Sequence, residues 1–358
     1  MVNAFPRAEF WRGKKVLLTG HTGFKGAWLA FVLQKLGATV VGMALPAATN
    51  PNLYLSLGLQ NTLTEYLGDI RDPSWVKNVV QNEQPEVVLH LAAQALVRVA
   101  YDDPIGTYAS NFLGTAHVLD ALRDCPSVRV AVMVTTDKVY KNSERATPYK
   151  EDDYLGGHDP YSASKAACEI LIESYRLSFL EARGICVMSA RAGNVIGGGD
   201  WSLDRLVPDL VRAWNDDQTV AIRRPDALRP WQHVLEPICA YLCLAEAGWQ
   251  RPREVARAWN LGPNEAATVR RVIELAQSCF AKGEVEFATC MAGVHEAGLL
   301  ALDASLARRE LGISPRWNLE TAVEKTMHWY RQFESGSDAS LLCLDDWESY
   351  CSASSQHE

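Results

Sequence analysis

Two short clusters in this chain could do chemistry together: Thr136-Asp137-Lys138, and Tyr161 with Lys165. The spacing i, i+4 puts Tyr161 and Lys165 on one face of a helix that starts at Pro160. A lysine beside a phenol favours the phenolate, so Tyr161 can take a hydroxyl proton near neutral pH. Hydride removal from an alcohol needs that pair and nothing more. Asp137 and Lys138 add a second acid and a second amine, which imply further proton transfers after an oxidation. In water near neutral pH a carboxylic acid is ionised and an amine protonated. Burial drives both kinds of group towards neutrality. An ordinary ion pair between the two neighbours accounts for the dipeptide equally well.

The elements that must position these residues alternate between strand and helix, which implies a parallel sheet covered on both faces. Strands are expected at 15–19, 38–43, 65–67, 87–91, 128–134 and 185–190, with helices through Leu36, over 104–123 and from Tyr161 towards Ala182. Thr136 follows the strand 128–134 and so lies at its carboxyl end. After Gly197-Gly198-Gly199-Asp200 the texture changes to longer loops and short helices, 206–214 and 234–247. The expected fold is α/β: a Rossmann-type doubly wound parallel sheet with a smaller C-terminal α/β substrate lobe. Residues 1–195 would form the dinucleotide-binding domain and 196–335 most of the lobe, some of whose strands can return to the main sheet. Residues 336–358, rich in Ser and Asp, would be a loosely packed tail.

A cofactor site is written between the first strand and first helix as Gly20-His21-Thr22-Gly23-Phe24-Lys25-Gly26. Such glycines allow a tight turn and close approach of backbone to a pyrophosphate seated on the helix N-terminus. Asp69-Ile70 is placed to bracket adenine, or else to cap the next helix. Ala92-Ala93-Gln94 uses small residues where backbone passes close to a cofactor. The acid that usually holds the adenosine ribose is missing from Val41-Gly42-Met43-Ala44-Leu45-Pro46, and no arginine stands there for a 2′-phosphate. NAD is the expected cofactor, with ribose recognition left to backbone or to the loop 46–54. His21 and His90 are expected to pack.

Bulk properties exclude several classes. The chain of 358 residues carries a formal net charge of -8, with 48% hydrophobic and 22% charged residues. No basic face invites nucleic acid, and no apolar run approaches the roughly 20 residues of a membrane span. An anionic ligand therefore needs a local pocket. Nine cysteines lack paired spacing and suit reduced thiols in a cytoplasm, without a metal site.

The glycine loop, Ala92-Ala93, Asn111 with Gly114-Thr115, and Tyr161 with Lys165 resemble the extended short-chain dehydrogenase/reductase superfamily. Within it, Thr136-Asp137-Lys138 is similar to the place where NAD-dependent nucleotide-sugar 4,6-dehydratases carry Thr-Asp and a proton-transfer residue. The branches acting on dTDP-glucose and GDP-mannose have Glu third; Lys resembles the branch acting on CDP-glucose. The stretches 191–201, 229–237 and Trp259-Asn260 point the same way, so the resemblance runs from about Phe10 to about Tyr330 and takes in both lobes.

The resemblance implies CDP-glucose as substrate and a precursor of surface-polysaccharide deoxysugars, such as those of O-antigen, as product. Tyr161 would take the proton of the 4-hydroxyl, Thr136 would polarise that oxygen, Lys138 would take the proton on carbon 5, and Asp137 would protonate the departing 6-hydroxyl. Asn111 would order the region of the Tyr-Lys pair beside the cofactor. A homodimer would form through the helices of Asn111 and Tyr161. For the diphosphate, Asn194, the turn Gly197–Gly199 and Arg229 are the first candidates, with Arg205, Arg223 and His233 behind them. Trp201, Trp231 and Trp259 read as lobe packing. The same scaffold also serves 4-epimerases and reductases, which have no evident use for Asp137 and Lys138. A non-catalytic dinucleotide binder would use none of these clusters.

Overall fold

The computed structural model describes residues 4–353 except 256, 264, 281 and 288–297. Its frame is built from β1 (Lys15–Thr19), α1 (Phe24–Lys35), β2 (Thr39–Ala44), β3 (Thr64–Leu67), α2 (Pro73–Glu83) and β4 (Val87–His90). There follow α3 (Val97–Asp102), α4 (Pro104–Tyr108), α5 (Gly114–Leu122), β5 (Val130–Val134), α6 (Pro160–Tyr175) and β6 (Cys186–Ala192). The remainder holds α7 (Leu206–Asn215), α8 (Leu235–Gln250), β7 (Ala258–Leu261), α9 (Val269–Phe280), α10 (Leu319–Glu334) and α11 (Ala339–Ser352).

The strands form one parallel sheet in the order β7-β6-β5-β4-β1-β2-β3. Apolar side chains fill both faces, as an all-parallel sheet requires. Val16 and Leu18 join Trp28, Leu29 and Val32 of α1 on one face, whereas Leu17 joins Val76 and Val80 of α2 and Leu119 of α5 on the other. Helices α1 and α8 are apolar on nearly every side, and both lie between other elements instead of at the surface. From β1 the chain order runs one way to β2 and β3 and the other way to β4 and β5. The crevice outside that switch point is where open α/β sheets take ligands.

The expected helix 104–123 is broken by a wide turn at Ala109–Leu113, and the helix of Tyr161 passes through a similar turn at Arg176–Leu180. Such turns insert one residue and re-aim the side chains around them; the first of them carries Asn111.

The second lobe rests on three small strand pairs. Gln232–His233 lies beside Val195–Ile196, Leu228–Arg229 beside Ala267–Thr268, and Val220–Ile222 beside Val285–Phe287. β7 then returns to the main sheet next to β6, with Trp259 wholly buried.

The expected loose tail is instead helix α11. Ala339, Cys343, Trp347 and Tyr350 recur at helical spacing and are buried. Phe5 stacks on Trp347 at 5.7 Å, and the Tyr350 hydroxyl donates to Glu236 of α8 at 2.7 Å. Asp338 caps it, Asp345 is exposed and Asp346 is buried beside Lys325, so a polar composition hides an apolar face; residues 354–358 lie outside the described residues.

Candidate active site

Glycine shape explains the cofactor loop. Gly20 has φ +79°, and a Cβ there would sit 2.9 Å from the Ala92 nitrogen. A Cβ on Gly26 would come within 2.0 Å of the Gly20 carbonyl oxygen, so only glycine lets α1 press onto the loop. No side chain caps α1; its first-turn N–H groups are left for a ligand. Thr22 anchors the loop by donating to the Leu45 carbonyl at 2.9 Å. This cradle fits the diphosphate of a dinucleotide.

Around it opens a cleft of about 1270 Å³. Gly20, Thr22, Gly23, Phe24, Lys25, Gly26, Asp69, Ile70, Ala92, Ala93 and Gln94 lie on its wall. Asp69 receives Arg71, which holds its carboxyl below the usual range, and the neighbouring helix is capped by Asp72 instead. The corner after β2 offers Ala44 and Leu45 and no acid; Glu65 on β3 is taken by Tyr54 and His21. His21 and His90 are buried. His90 bridges Thr19 at 2.7 Å and Thr115 at 3.0 Å, and burial pushes its imidazole down to about 3.

Thr136, Asp137, Lys138, Tyr161 and Lys165 converge on the same cleft. Beyond β5, Thr136 caps a single tight turn, Asp137–Val139, that faces the first turn of α6. Its hydroxyl donates to Asp137 Oδ1 at 2.9 Å, and Lys138 Nζ reaches the same oxygen at 3.0 Å. The Asp137 side chain is 1% exposed and its other oxygen, Oδ2, has no partner among the described residues. A buried oxygen in that state is costly unless a ligand meets it. The adjacent Asp and Lys thus do form an ion pair, and they form it on the cleft wall.

The expected Lys165–Tyr161 couple takes another form. Lys165 Nζ donates to the Val134 carbonyl at 3.2 Å, while the Tyr161 phenol pairs with Thr136. Burial pushes that phenol up to about 12, opposed by the Thr136 hydrogen bond and the positive charge of Arg205. The cation felt by Tyr161 therefore comes from the second lobe, a contact that helix periodicity could not reveal.

Four further expectations change. Asn111 is not on the wall: it accepts from the Gln94 backbone at 2.8 Å and donates to Ser164 at 2.9 Å, tying the Ala92–Gln94 strap to α6. His233 is buried between Trp28 and Trp317, at ring distances of 6.2 and 4.7 Å, because its strand turns inwards. Gly198 and Gly199 lie against Trp329 and Leu53, and of the glycine turn Gly197 alone lines the cleft. Trp231 is on the wall, whereas Trp201 packs on Tyr330 and Trp259 fills the core. Asn194, Arg205, Arg223 and Arg229 all reach the cleft; Asn194 Oδ1 is buried without a partner among the described residues. Arg229 Nη1 donates to the Leu228 carbonyl at 2.8 Å.

Sequence reading missed the support behind this wall. Glu169, one turn beyond Lys165, accepts from Thr135 at 2.5 Å, Ser189 at 2.6 Å and Arg191 at 2.8 Å. Arg191 also donates to the Tyr140 hydroxyl at 2.9 Å, which in turn donates to Asn260 on β7. The one signal was a lone Glu inside the apolar run Ala166–Ile172. Among the described residues no group of His, Cys, Asp and Glu could hold a metal ion, and no helix is long and apolar enough to cross a membrane.

Residues 17–326 match the family model described as GDP-mannose 4,6 dehydratase. The CDP-glucose 4,6-dehydratase of Salmonella typhimurium is 39% identical over 97% of this chain and 99% of its own length. A dTDP-glucose 4,6-dehydratase of Xanthomonas campestris is 27% identical over 88% of this chain and 92% of its own length. Among solved structures, the dTDP-glucose 4,6-dehydratase of Bacillus anthracis in complex with NAD superposes with a TM-score of 0.75, covering 90% of this chain and 98% of that one at 21% identity. With its family match, its long-range identity and its seven-stranded frame, this chain belongs to the GDP-mannose 4,6-dehydratase family.

Proposed function

We propose that this protein is a nucleotide-sugar 4,6-dehydratase that converts CDP-D-glucose into CDP-4-dehydro-6-deoxy-D-glucose and water, using NAD. The observation that carries the reading is the placement of Asp137 and Lys138 on one wall with Thr136 and Tyr161. Family membership and the 39% identity to a CDP-glucose enzyme support it.

The dinucleotide would be held by Gly20, Thr22, Gly23, Phe24, Lys25 and Gly26, by Asp69 and Ile70, and by Ala92, Ala93, Gln94, Tyr161 and Lys165. The chemistry it supplies when bound is acceptance of a hydride from carbon 4 and its return to carbon 6. Tyr161 takes the 4-hydroxyl proton as the carbonyl forms. That carbonyl acidifies the carbon 5 proton; passage of one proton from Lys138 to Asp137 across their 3.0 Å contact leaves the amine to remove it and the acid to protonate the carbon 6 hydroxyl, which leaves as water. Lys138 then returns its proton to carbon 5. One proton remains on Tyr161 and one is missing from the Asp137–Lys138 pair. The Thr136 hydroxyl bonds both Tyr161 and Asp137, so the reaction closes through it.

The cleft carries more basic than acidic side chains inside a protein of net charge -8, which suits anionic ligands. We assign Asn194, Arg205, Arg223 and Arg229 to the sugar nucleotide. Cofactor binding falls to residues 1–195 with β7, and substrate binding mainly to 196–335. A homodimer would form on α4, α6 and the wide turns that follow them, where Ile105, Leu113, Ile170 and Leu177 are exposed by 78, 49, 63 and 61%. The described cysteines are free thiols, as suits the reducing cytoplasm in which we place the enzyme.

The test is incubation of purified protein with CDP-, dTDP-, UDP- and GDP-glucose, with and without added NAD. A 4-keto-6-deoxy product from CDP-glucose is expected. Formation of the 4-epimer alone, or net consumption of reduced cofactor, would overturn the reading.

A further inference from the structure

The turn Asp137–Val139 carries Asp137 and Lys138, and the chain on each side of it is fastened to one buried ion pair. On the entry side Thr135 donates to Glu169 Oε1 at 2.5 Å. On the exit side the Tyr140 hydroxyl accepts from Arg191 Nη1 at 2.9 Å. Glu169 and Arg191 meet each other at 2.8 Å, and Glu169 stands one turn beyond Lys165 on α6. The pair thus ties the helix of Tyr161 and Lys165 to both ends of the turn.

The two ends are held differently. At the entry, the Thr135 N–H donates to the Ala190 carbonyl at 2.9 Å, so pairing with β6 fixes the backbone whatever the side chain does. At the exit the backbone pairs only with the loop that follows, Gly156 N–H to the Val139 carbonyl and Lys141 N–H to the Tyr154 carbonyl, each at 2.8 Å. Tyr140 carries this end back to the frame. It is 1% exposed, and its hydroxyl lies between Arg191 on β6 and Asn260 on β7, donating to the latter at 2.6 Å. Stability does not account for the arrangement, because apolar residues of similar volume often serve as well as a buried ion pair. A satisfied buried network does fix geometry. The elimination needs that geometry: Asp137 and Lys138 serve adjacent carbons of one sugar and share a 3.0 Å contact.

We propose that Tyr140 is a positioning residue for the elimination step: its hydroxyl, held between Arg191 and Asn260, fixes the exit of the turn and so aims Lys138 and Asp137 at carbons 5 and 6. This rests on the dehydratase reading above. The oxidation draws on Tyr161, set on α6, and on Thr136, set at the sheet-paired entry of the turn, so it does not depend on the Tyr140 hydroxyl.

The test is Tyr140→Phe, which removes the hydroxyl and keeps a ring to stack on Tyr149. A single turnover of CDP-glucose with NAD is followed by stopped-flow absorbance and by analysis of quenched samples. Reduced cofactor should form within about twofold of the wild-type rate and then disappear about tenfold or more slowly, since misplacement by about 1 Å can cost about a hundredfold in rate. Quenched samples should hold CDP-4-dehydroglucose where wild type holds the 4-keto-6-deoxy product. A purely structural role would lower the fraction of active enzyme, which shrinks both phases together and leaves the ratio of the two rates unchanged. If Tyr140→Phe fails to fold, Arg191→Lys is judged by the same ratio: it keeps a charge against Glu169 without the fork that reaches Tyr140. Elimination at the wild-type rate, or equal slowing of both steps, would overturn the assignment. If wild type turns over another nucleotide glucose and not CDP-glucose, the choice of base fails and Tyr140 is judged on that substrate. If it turns over none, or gives the 4-epimer alone, both proposals fall.

Discussion

Lys165 gives its ammonium to the carbonyl of Val134, 3.2 Å away at the end of β5, and leaves the phenol of Tyr161 to Thr136. The lysine therefore fastens α6 to the strand that carries Thr136, and the charge easing ionisation of Tyr161 is that of Arg205. The base is thus served by a charge from the second lobe.

That arrangement sets a pH dependence. A general base works deprotonated, so the rate rises with pH through its pKa. Removing a nearby positive charge raises the pKa of a phenol. Arg205→Met should move the rising limb of kcat to higher pH and lower kcat at neutral pH, while Arg205→Lys keeps much of the wild-type profile. A pH profile of kcat at saturating substrate checks this; a limb that stays in place would show that Arg205 does not act on Tyr161.

Lys138 is expected to act after the oxidation. Lys138→Met should still form reduced cofactor from CDP-glucose in a single turnover, yet yield less than about one hundredth of the wild-type product rate. It should also abolish incorporation of solvent deuterium at carbon 5. If reduced cofactor and product are lost in equal measure, the lysine is needed before elimination and its assignment fails.

Glu169 and Arg191 make a buried ion pair, each side chain 4% exposed. Breaking such a pair from one side costs about 3–5 kcal/mol, because the remaining charge is stranded. Glu169→Leu and Arg191→Met should each lower unfolding stability by about that amount in urea titrations, and the double variant by less than their sum. Losses below about 1 kcal/mol would mean that water reaches the network.

The apolar face of α4 and α6 predicts an assembly. Ile170→Asp with Leu177→Asp should convert a dimer to monomers in sedimentation velocity without unfolding the sheet. A wild-type protein that sediments as a monomer at micromolar concentration would refute that interface.

Much of this frame is legible along the chain because its signals are local. Strand-loop-helix order around Gly20 placed the cofactor cradle, and the apolar run before Thr136 placed the chemistry at a strand end. The misses are long-range. Nothing near Lys165 announces that Val134 takes its ammonium, and nothing near Tyr161 announces Arg205, 44 positions later. His233 looked available beside Arg229, but both residues of its short strand are buried and its ring packs between Trp28 and Trp317. Asn111 stands near the Tyr-Lys pair, but from the wide turn at Ala109–Leu113 it reaches Gln94 and Ser164 and not the cleft wall.

The chain leaves the sheet after β6, returns as β7 directly beside it, and leaves again to add Ala267–Thr268 and Val285–Phe287 to the strand pairs of the second lobe. Both departures start from neighbouring strands, so the lobe is stitched to one edge of the sheet by more than one passage of chain. A change in that edge strand would therefore be felt on both sides of the cleft at once, in the frame that holds Tyr161 and in the lobe that brings up Arg205.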